Sequence, residues 1–186
     1  TGIKHAATGK FGKMIFGGLG FNLFNPALVG RAFMMASFPL AMSSGWASPR
    51  PWFDTRLAAV TSATPLAALK EQGYAAALHL VPGNTWLALA LGFRPGSIGE
   101  VSIVLVALGA AVLVARGILR LTIPLSVLAG TALMTAWSGA PLLHVMSGGL
   151  WLGAFFMATD YVTSPTTRDG QIAFGLVIGL LTGIIR

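Results

Sequence analysis

The chain contains no cysteine, and only five of its 186 residues are Asp or Glu. Without thiolates it can form no disulfide and can hold neither thiolate-ligated zinc nor an iron–sulfur cluster of its own. A redox centre in it must therefore be organic or come from a partner. Charged residues of both signs make up 9% of the chain, against roughly 25% in soluble domains, while hydrophobic residues reach 55%. This composition argues against a soluble enzyme domain and is typical of an integral membrane protein.

Basic residues are more numerous than acidic ones, and twelve Lys and Arg give the chain a formal net charge of +7. In a polar protein this excess would suggest nucleic acid as a partner. Here the basic residues stand singly or at the ends of apolar runs. Membrane topology explains that distribution better, because Lys and Arg in short loops are retained on the cytoplasmic side. We therefore expect a lipid bilayer, and no nucleic acid, as a partner.

Five apolar stretches organise the chain, over residues 27–42, 101–115, 121–137, 142–159 and 172–185. Most are at or below the roughly 17–25 residues that a helix needs to span a bilayer. Gly and Pro interrupt several, notably Ser147, Gly148 and Gly149 in the fourth stretch. Unwound backbone at membrane depth survives only where protein or a wet cavity satisfies it. We predict an all-α, polytopic integral membrane helical bundle over residues 1–186, with about five apolar segments, some of them broken or re-entrant.

The orientation of the bundle follows from its short loops. The N-terminal approach carries three lysines, and the tight connection between the second and third stretches carries Arg116 and Arg120, so both should face the cytoplasm. If the first stretch crosses once, residues 43–99 form an extracytoplasmic insertion. We expect a multi-pass protein of the inner (cytoplasmic) membrane. The chain begins at Thr1 without Met or a signal-peptide pattern, so further N-terminal helices are expected to precede it.

The insertion contains a pattern typical of a short surface helix. Thr64 suits the N-cap, Pro65 the first helical position and Gly73 the residue just past the C-terminus. A Thr-Pro helix start needs no cofactor. The same geometry offers free backbone N–H groups and a positive dipole end, so a phosphate ester on the Thr64 hydroxyl would also be favoured there.

Four other polar residues are candidates for function. Asn25, before Pro26, is interpreted either as a helix cap or as a ligand to a substrate or ion at a helix break. His144 favours a hydrogen-bonded interior role over a metal site, because no second ligand lies at metal spacing. Glu100 is expected to meet the dipole of the second stretch as a cap. Asp160 is either interfacial or a functional carboxylate at membrane depth.

Several ordered motifs resemble one family. They are Gly-Gly-Leu-Gly from Gly17, Phe-Asn-Pro-Ala-Leu-Val-Gly from Phe24, Ser-Phe-Pro from Ser37, Ser-Ala-Thr-Pro-Leu from Ser62, Gly-Ser-Ile-Gly-Glu from Gly96, Ser-Gly-Gly-Leu-Trp-Leu-Gly-Ala-Phe-Phe-Met-Ala-Thr-Asp from Ser147 and Thr-Ser-Pro-Thr-Thr from Thr163. The family is that of the D subunit of the Rnf ion-translocating ferredoxin:NAD oxidoreductase and the related B subunit of the sodium-pumping NADH:quinone reductase. The resemblance covers nearly the whole chain and looks like the C-terminal part of such a subunit.

The resemblance implies a covalent flavin. In this family FMN is joined by a phosphodiester to the threonine of a Ser-Gly-Ala-Thr pattern on the outer face of the membrane. The residues that match are Thr61, or Ser62 by residue type, then Ala63 and Thr64, followed here by Pro65. Ser62 stands where glycine is usual. The implied site is FMN on Thr64, with Thr61 as the fallback acceptor and with no metal.

The resemblance also implies a function and partners. The chain would be a subunit of a membrane oxidoreductase, without activity alone, that passes electrons through FMN while the complex moves Na⁺ or H⁺. It implies other membrane and soluble subunits, a flavin transferase for maturation, and room for a non-covalent riboflavin. Asn25 and Asp160 are candidates for an ion or flavin pathway. Tyr161 departs from the family's usual proline and removes a rigid turn after Asp160.

Two other classes of protein use similar helices. A small-solute transporter or channel of the urea or ammonium type would also have Gly-rich broken helices, but it would have no use for a modified Thr64. A structural membrane subunit without redox function would leave the insertion unmodified. Covalent flavin on the denatured chain distinguishes the redox function from both alternatives.

Overall fold

The computed structural model describes residues 24–43, 65–79, 84–94 and 99–186. The helices in these ranges are α1 Pro26–Ser37, α2 Pro39–Ser43, α3 Pro65–Gln72, α4 Tyr74–His79, α5 Thr85–Leu91, α6 Ile103–Ala115, α7 Thr122–Thr135, α8 Pro141–Met146, α9 Leu150–Leu152 and α10 Arg168–Ile185. A 3₁₀ turn, Ala136–Ser138, follows α7, and a π-helical turn, Gly153–Met157, follows α9. No strand occurs among the residues described. The all-helical prediction is confirmed for them.

The second, third and fifth apolar stretches form α6, α7 and α10. With 18 residues, α10 is about 27 Å long, close to the roughly 30 Å of a bilayer's hydrocarbon core. Within the described ranges it is the one helix long and apolar enough to cross a membrane. The apolar helices α6 and α7 are shorter.

Glycines bring α7 and α10 into close contact. Gly175, Gly179 and Gly183 are spaced four residues apart, so they lie on one face of α10. A Cβ on Gly179 would collide with backbone atoms of α7, among them the Thr131 amide nitrogen at 2.8 Å. The Thr131 hydroxyl donates a hydrogen bond to the Gly179 carbonyl at 3.2 Å. This is the small-residue packing by which membrane helices approach each other without a hydrophobic driving force.

The fourth apolar stretch is broken, as predicted. Helix α8 ends at Met146, the chain turns through Ser147, Gly148 and Gly149, and α9 begins at Leu150. Gly148 has a φ of +68°, a left-handed conformation that residues with a side chain rarely adopt. The break therefore depends on the glycine pair.

The short helices α3 and α5 pack against α8. Ala68 of α3, Ala88 and Leu89 of α5 and Leu143 of α8 are buried in one apolar cluster. Helix α3 begins at the buried Pro65, and Gly73 follows it with a φ of +89°, which confirms the predicted helix and its C-terminus. The cluster thus ties the start of α3, next to the predicted flavin site, to the broken fourth segment.

Large apolar side chains cover much of the outside of α6, α7 and α10. Leu108 is 63% exposed, Leu133 72% and Ile184 62%. Monomeric soluble proteins rarely expose contiguous apolar surface on this scale. The pattern is that of helices whose solvent is lipid.

The Glu100 prediction was wrong. Ser102 caps α6, because its hydroxyl accepts a hydrogen bond from the backbone N–H of Leu105 at 3.3 Å. Glu100 lies two residues earlier and points to the fourth segment instead. Ser102 was the better sequence signal, because its short side chain reaches the N–H three residues ahead.

Candidate functional site: a cavity beside a broken helix

Most of the predicted flavin-attachment motif lies outside the residues that the structure describes. This applies to Thr61, Ser62, Ala63 and Thr64. Pro65, which follows them, is buried at the first position of α3. The FMN site therefore stays a prediction, with only its C-terminal neighbour placed.

A cavity of about 590 Å³ lies between α1, α7, the broken fourth segment and α10. Its walls are mainly apolar, with contributions from Leu28, Leu150, Met157, Phe174 and Ile178. Asn25, Arg31 and Arg186 supply polar groups. Binding sites for small molecules have typical volumes of roughly 300–1,000 Å³, mainly apolar walls and a few fixed polar groups. This cavity has all three properties.

Asn25 is the N-cap of α1. Its side-chain oxygen accepts hydrogen bonds from the backbone N–H groups of Ala27 at 3.0 Å and Leu28 at 3.3 Å. Its side-chain nitrogen donates to the Met157 carbonyl at 3.1 Å, which joins α1 to the far end of the broken segment. The capping interpretation of Asn25 is therefore what the structure shows. The residue also lines the cavity, so its part in an ion or flavin pathway stays a prediction.

Arg94 holds the break in the fourth segment. Its guanidinium group donates hydrogen bonds to four backbone carbonyls. Nε donates to Val101 at 3.2 Å and Nη1 to Met146 at 2.8 Å, while Nη2 donates to Glu100 at 3.2 Å and Gly148 at 3.3 Å. The residue is 4% exposed. Burial lowers the pKa of the guanidinium and the Glu100 carboxylate opposes that effect, but arginine remains a cation at neutral pH.

The other carbonyls at the end of α8 also have side-chain partners. Arg186 donates to the His144 carbonyl. The Trp151 indole N–H donates to the Val145 carbonyl at 3.1 Å, and the Ser147 hydroxyl donates to the Leu143 carbonyl at 2.5 Å. With the bond from Arg94 to Met146, side chains satisfy four successive carbonyls of α8. The last carbonyls of α8, which have no partner within the helix, are thus satisfied by protein side chains.

Glu100 lies against Gly149, on the other side of the break. A Cβ on Gly149 would collide with the Glu100 carboxylate, and one on Gly148 would come within 3.1 Å of the Arg186 guanidinium. Glu100 also forms an ion pair with Arg31 of α1, at 3.5 Å. The two glycines therefore leave space for charged side chains at the cavity.

His144 is an interior residue, as its sequence context predicted, but within the described part of the chain its Nδ1 lacks the hydrogen bond that was also expected. The residue is 5% exposed, and its Nδ1 has no hydrogen-bond partner among the described residues. The described residues contain no cluster of three or more His, Cys, Asp or Glu side chains placed to hold a metal ion.

Asp160 stabilises the turn after the π-helical segment. Its carboxylate accepts a hydrogen bond from the Thr163 hydroxyl at 3.1 Å, and its carbonyl accepts one from the Ser164 N–H at 3.0 Å. Thr163 lines the large cavity, whereas Asp160 itself is not among the residues that line it. Its role in an ion pathway stays a prediction.

Tyr161 has a structural partner that the sequence did not indicate. Its hydroxyl donates to the Ile118 carbonyl in the connection between α6 and α7. The two segments enclose a second cavity of about 230 Å³, lined also by Arg120, Thr159 and Ser164. Where the family usually has the rigid turn of a proline, this chain therefore has a hydrogen bond between the two loops.

Tyr161→Phe should destabilise the protein by about 0.5–1 kcal/mol, because it removes one hydrogen bond from a side chain that is 72% exposed. The measurement is thermal unfolding of the detergent-solubilised full-length protein. Tyr74→Phe is the matched control, since Tyr74 is 44% exposed and has no hydroxyl hydrogen bond in the described part of the chain. Equal midpoints of thermal unfolding for the two variants would contradict a stabilising hydrogen bond from Tyr161.

Sequence reasoning missed two features of the structure, one at the break and one at the contact between α7 and α10. It passed over Arg94, whose side chain makes four hydrogen bonds to backbone carbonyls, because a lone arginine in a long loop carries no motif. It also passed over the glycines of α10, although Gly175, Gly179 and Gly183 show the four-residue spacing in the sequence itself. Asn25, by contrast, was correctly singled out.

Comparison of the amino-acid sequence with known proteins points to one family. The model of the NQR2, RnfD, RnfE family matches residues 6–186. The chain is 45% identical over 185 residues to the D subunit of the proton-translocating ferredoxin:NAD(+) oxidoreductase complex of Clostridium ljungdahlii, covering 94% of this chain and 54% of the relative. It is 43% identical over 175 residues to the D subunit of the Na(+)-translocating complex of Acetobacterium woodii, with 94% and 52% covered.

Relatives from the quinone-reductase branch are also similar. The B subunit of the Na(+)-translocating NADH-quinone reductase of Chromohalobacter salexigens is 36% identical over 189 residues, with 94% of this chain and 43% of the relative covered. The chain spans about half the length of the curated relatives it matches first. A model match over nearly all residues, together with identities above one third, identifies the family. The chain belongs to the NQR2, RnfD, RnfE family of membrane subunits.

Proposed function

We propose that this chain is part of a D-type subunit of an ion-translocating ferredoxin:NAD oxidoreductase. The observation that carries the proposal is the 45% identity to such a subunit over 94% of the chain. The lipid-facing surface of α6, α7 and α10 supports a membrane role. The relatives' names do not favour a small-solute transporter. The subunit acts only with the other membrane and soluble subunits of its complex, as part of an oxidoreductase that translocates Na⁺ or H⁺.

In this proposal Thr64 carries FMN as a phosphodiester. Support comes from α3, which begins at the next residue and whose first-turn N–H groups favour an anionic group. Thr61, Ser62 and Ala63 complete the recognition sequence for the flavin transferase. The flavin supplies one- and two-electron redox chemistry. The chain's part is to anchor the phosphate and to hold α3 rigidly against α8 through Ala68 and Leu143.

The cavity beside Asn25 is proposed as the place of a non-covalent flavin such as riboflavin. The residues fit that group: the apolar walls suit a flat ring system, and Asn25, Arg31 and Arg186 provide polar contacts for its edges or side chain. The volume of about 590 Å³ is suitable for one small molecule. Asn25 and Asp160 remain the candidates for an adjoining ion or flavin pathway.

The proposed topology places these parts in an inner membrane. The protein crosses it several times, residues 43–99 form the extracytoplasmic insertion, and FMN on Thr64 faces outward. Moving one charge against roughly 150 mV costs about 3.5 kcal/mol, so a comparable redox drop must accompany each ion.

The function is tested by reduction of the bound flavin in the assembled, matured complex. Reduced ferredoxin should bleach the flavin absorbance, and the denatured subunit should retain fluorescent flavin in a gel. A matured subunit without any flavin would contradict the redox role and would favour a structural subunit.

Filling the cavity tests the non-covalent site separately. Gly153 lines the cavity and an added Cβ meets no atom within 4 Å, so Gly153→Phe should occupy the space without disturbing the backbone. We expect at least a tenfold rise in the dissociation constant for flavin, about 1.4 kcal/mol of binding, seen as less flavin released by denaturation at limiting flavin concentration, with covalent flavin unchanged. Leu133→Phe, at a position 72% exposed, is the control. Unchanged release from Gly153→Phe would exclude the cavity.

A further inference from the structure

The end of α8 leaves backbone carbonyls that need a partner inside the protein. A helix that stops inside the protein leaves its last carbonyls without intrahelical partners, at the negative end of its dipole. In transporters with discontinuous helices, such carbonyls coordinate the transported cation. A positive group is therefore favoured at this position in the broken fourth segment.

In this protein the Arg94 side chain occupies the position at the end of α8. The Arg94 guanidinium donates to Met146, the last residue of α8, and to Gly148 in the break. Its remaining bonds go to the carbonyls of Glu100 and Val101, just before α6. Arg186 donates to the neighbouring His144 carbonyl. Two guanidinium groups thus use the carbonyls that could otherwise bind a cation.

The same bonds fix the position of Glu100. Because Arg94 holds the backbone of Glu100 and of Gly148 together, the Glu100 side chain is kept between Gly149 and Arg31. The ion pair with Arg31 then connects α1, on the other side of the large cavity, to the break. One arginine therefore sets the relative position of α8, the turn before α6 and, through Glu100, α1.

We propose that Arg94 is a positioning residue that takes the place of a bound cation at the break in the fourth segment. It neutralises the end of α8 and places Glu100 against Gly149 and Arg31, two residues that line the cavity. The transported ion does not bind at these carbonyls. Four bonds in different directions require the planar fork of arginine, because the compact ammonium of lysine cannot reach both segments at once. Arg94 makes these contacts with residues of the chain itself, so its role does not depend on a bound flavin.

The test uses the full-length subunit in its assembled complex, with Arg94→Lys and Arg94→Ala. Both variants should lower the midpoint of thermal unfolding by several degrees, since carbonyls of two segments lose their donors. Millimolar guanidinium should restore part of the loss in Arg94→Ala and none in the wild type. Arg116→Ala is the matched control, because Arg116 is exposed and its side chain has no hydrogen bond in the described residues.

A double-mutant cycle distinguishes positioning from support of the fold alone. Glu100→Gln should lower the midpoint in the wild-type background and have less effect in Arg94→Lys, where Glu100 is no longer held in place. Three outcomes would each overturn the proposal: Arg94→Lys unfolding like the wild type, an assembled Arg94→Ala that guanidinium does not stabilise, or strictly additive effects. If Arg94→Ala does not assemble, Arg94→Lys and the cycle decide the question.

Discussion

Thr64→Ala should abolish the ultraviolet fluorescence of the denatured subunit completely, because the substitution removes the hydroxyl that would form the phosphodiester with FMN. A covalent bond survives denaturation, whereas a flavin held by contacts does not. The measurement is in-gel fluorescence together with the intact mass of the subunit, after co-expression with a flavin transferase. The wild-type chain should carry the mass of one FMN, less the water lost on ester formation.

Two control variants locate the acceptor within the motif. Thr61→Ala should retain full fluorescence, since Thr61 is only the fallback acceptor. Ser62→Gly restores the residue usual in this family, and this variant should receive FMN at least as efficiently as the wild type. Fluorescence that persists in Thr64→Ala and disappears in Thr61→Ala would move the site to Thr61. No flavin on any variant or on the wild type would remove the covalent site altogether.

Gly179→Ala should destabilise the membrane body strongly, although it adds only one methyl group. That methyl would overlap backbone atoms of α7, including the Thr131 nitrogen at 2.8 Å and the Gly130 Cα at 2.9 Å. Backbone cannot rotate away, so the helices must separate and the hydrogen bond from Thr131 to Gly179 must lengthen. Overpacking of this kind costs about 1–3 kcal/mol. Thermal unfolding and the yield of assembled protein in detergent would measure the loss.

Gly109→Ala is the matched control for that experiment. Gly109 lies in α6, and an added Cβ would make only ordinary contact with the Phe156 ring at 3.4 Å. Since alanine favours helix over glycine by roughly 1 kcal/mol, this variant should be neutral or more stable. If both substitutions had the same effect, close packing at Gly179 would not be the cause.

The sequence predicted the fold where local chemistry decides it. Asn25 ahead of Pro26 indicated a capped helix, Pro65 with Gly73 marked both ends of α3, and the glycine pair after Ser147 indicated the break. Each signal depends on residues within one or two helical turns. Such signals can be recognised in a single sequence because neighbouring residues determine the backbone conformation and its hydrogen bonds.

The site could be predicted only in part, because its contacts join distant segments. Arg94 and Gly148 are 54 positions apart, and Asn25 and Met157 are 132 apart. Glu100 looked like a cap for α6 because its neighbours in the chain were visible and Arg31 and Gly149 were not. His144 illustrates the opposite error, since a buried imidazole was expected to have a hydrogen-bond partner and its Nδ1 has none among the described residues. Long-range placement of charge is the part that local pattern does not encode.

The 13 residues of α6 give it a length of only about 20 Å, although its Leu105 and Leu108 are turned outward. Lipid beside so short an apolar wall is expected to become thinner in order to match it. A fixed membrane voltage then drops across less insulating material, so the electric field along this flank is steeper than in the surrounding bilayer. The electrostatic work of moving a charge across the membrane here is unchanged, but it is done over a shorter distance.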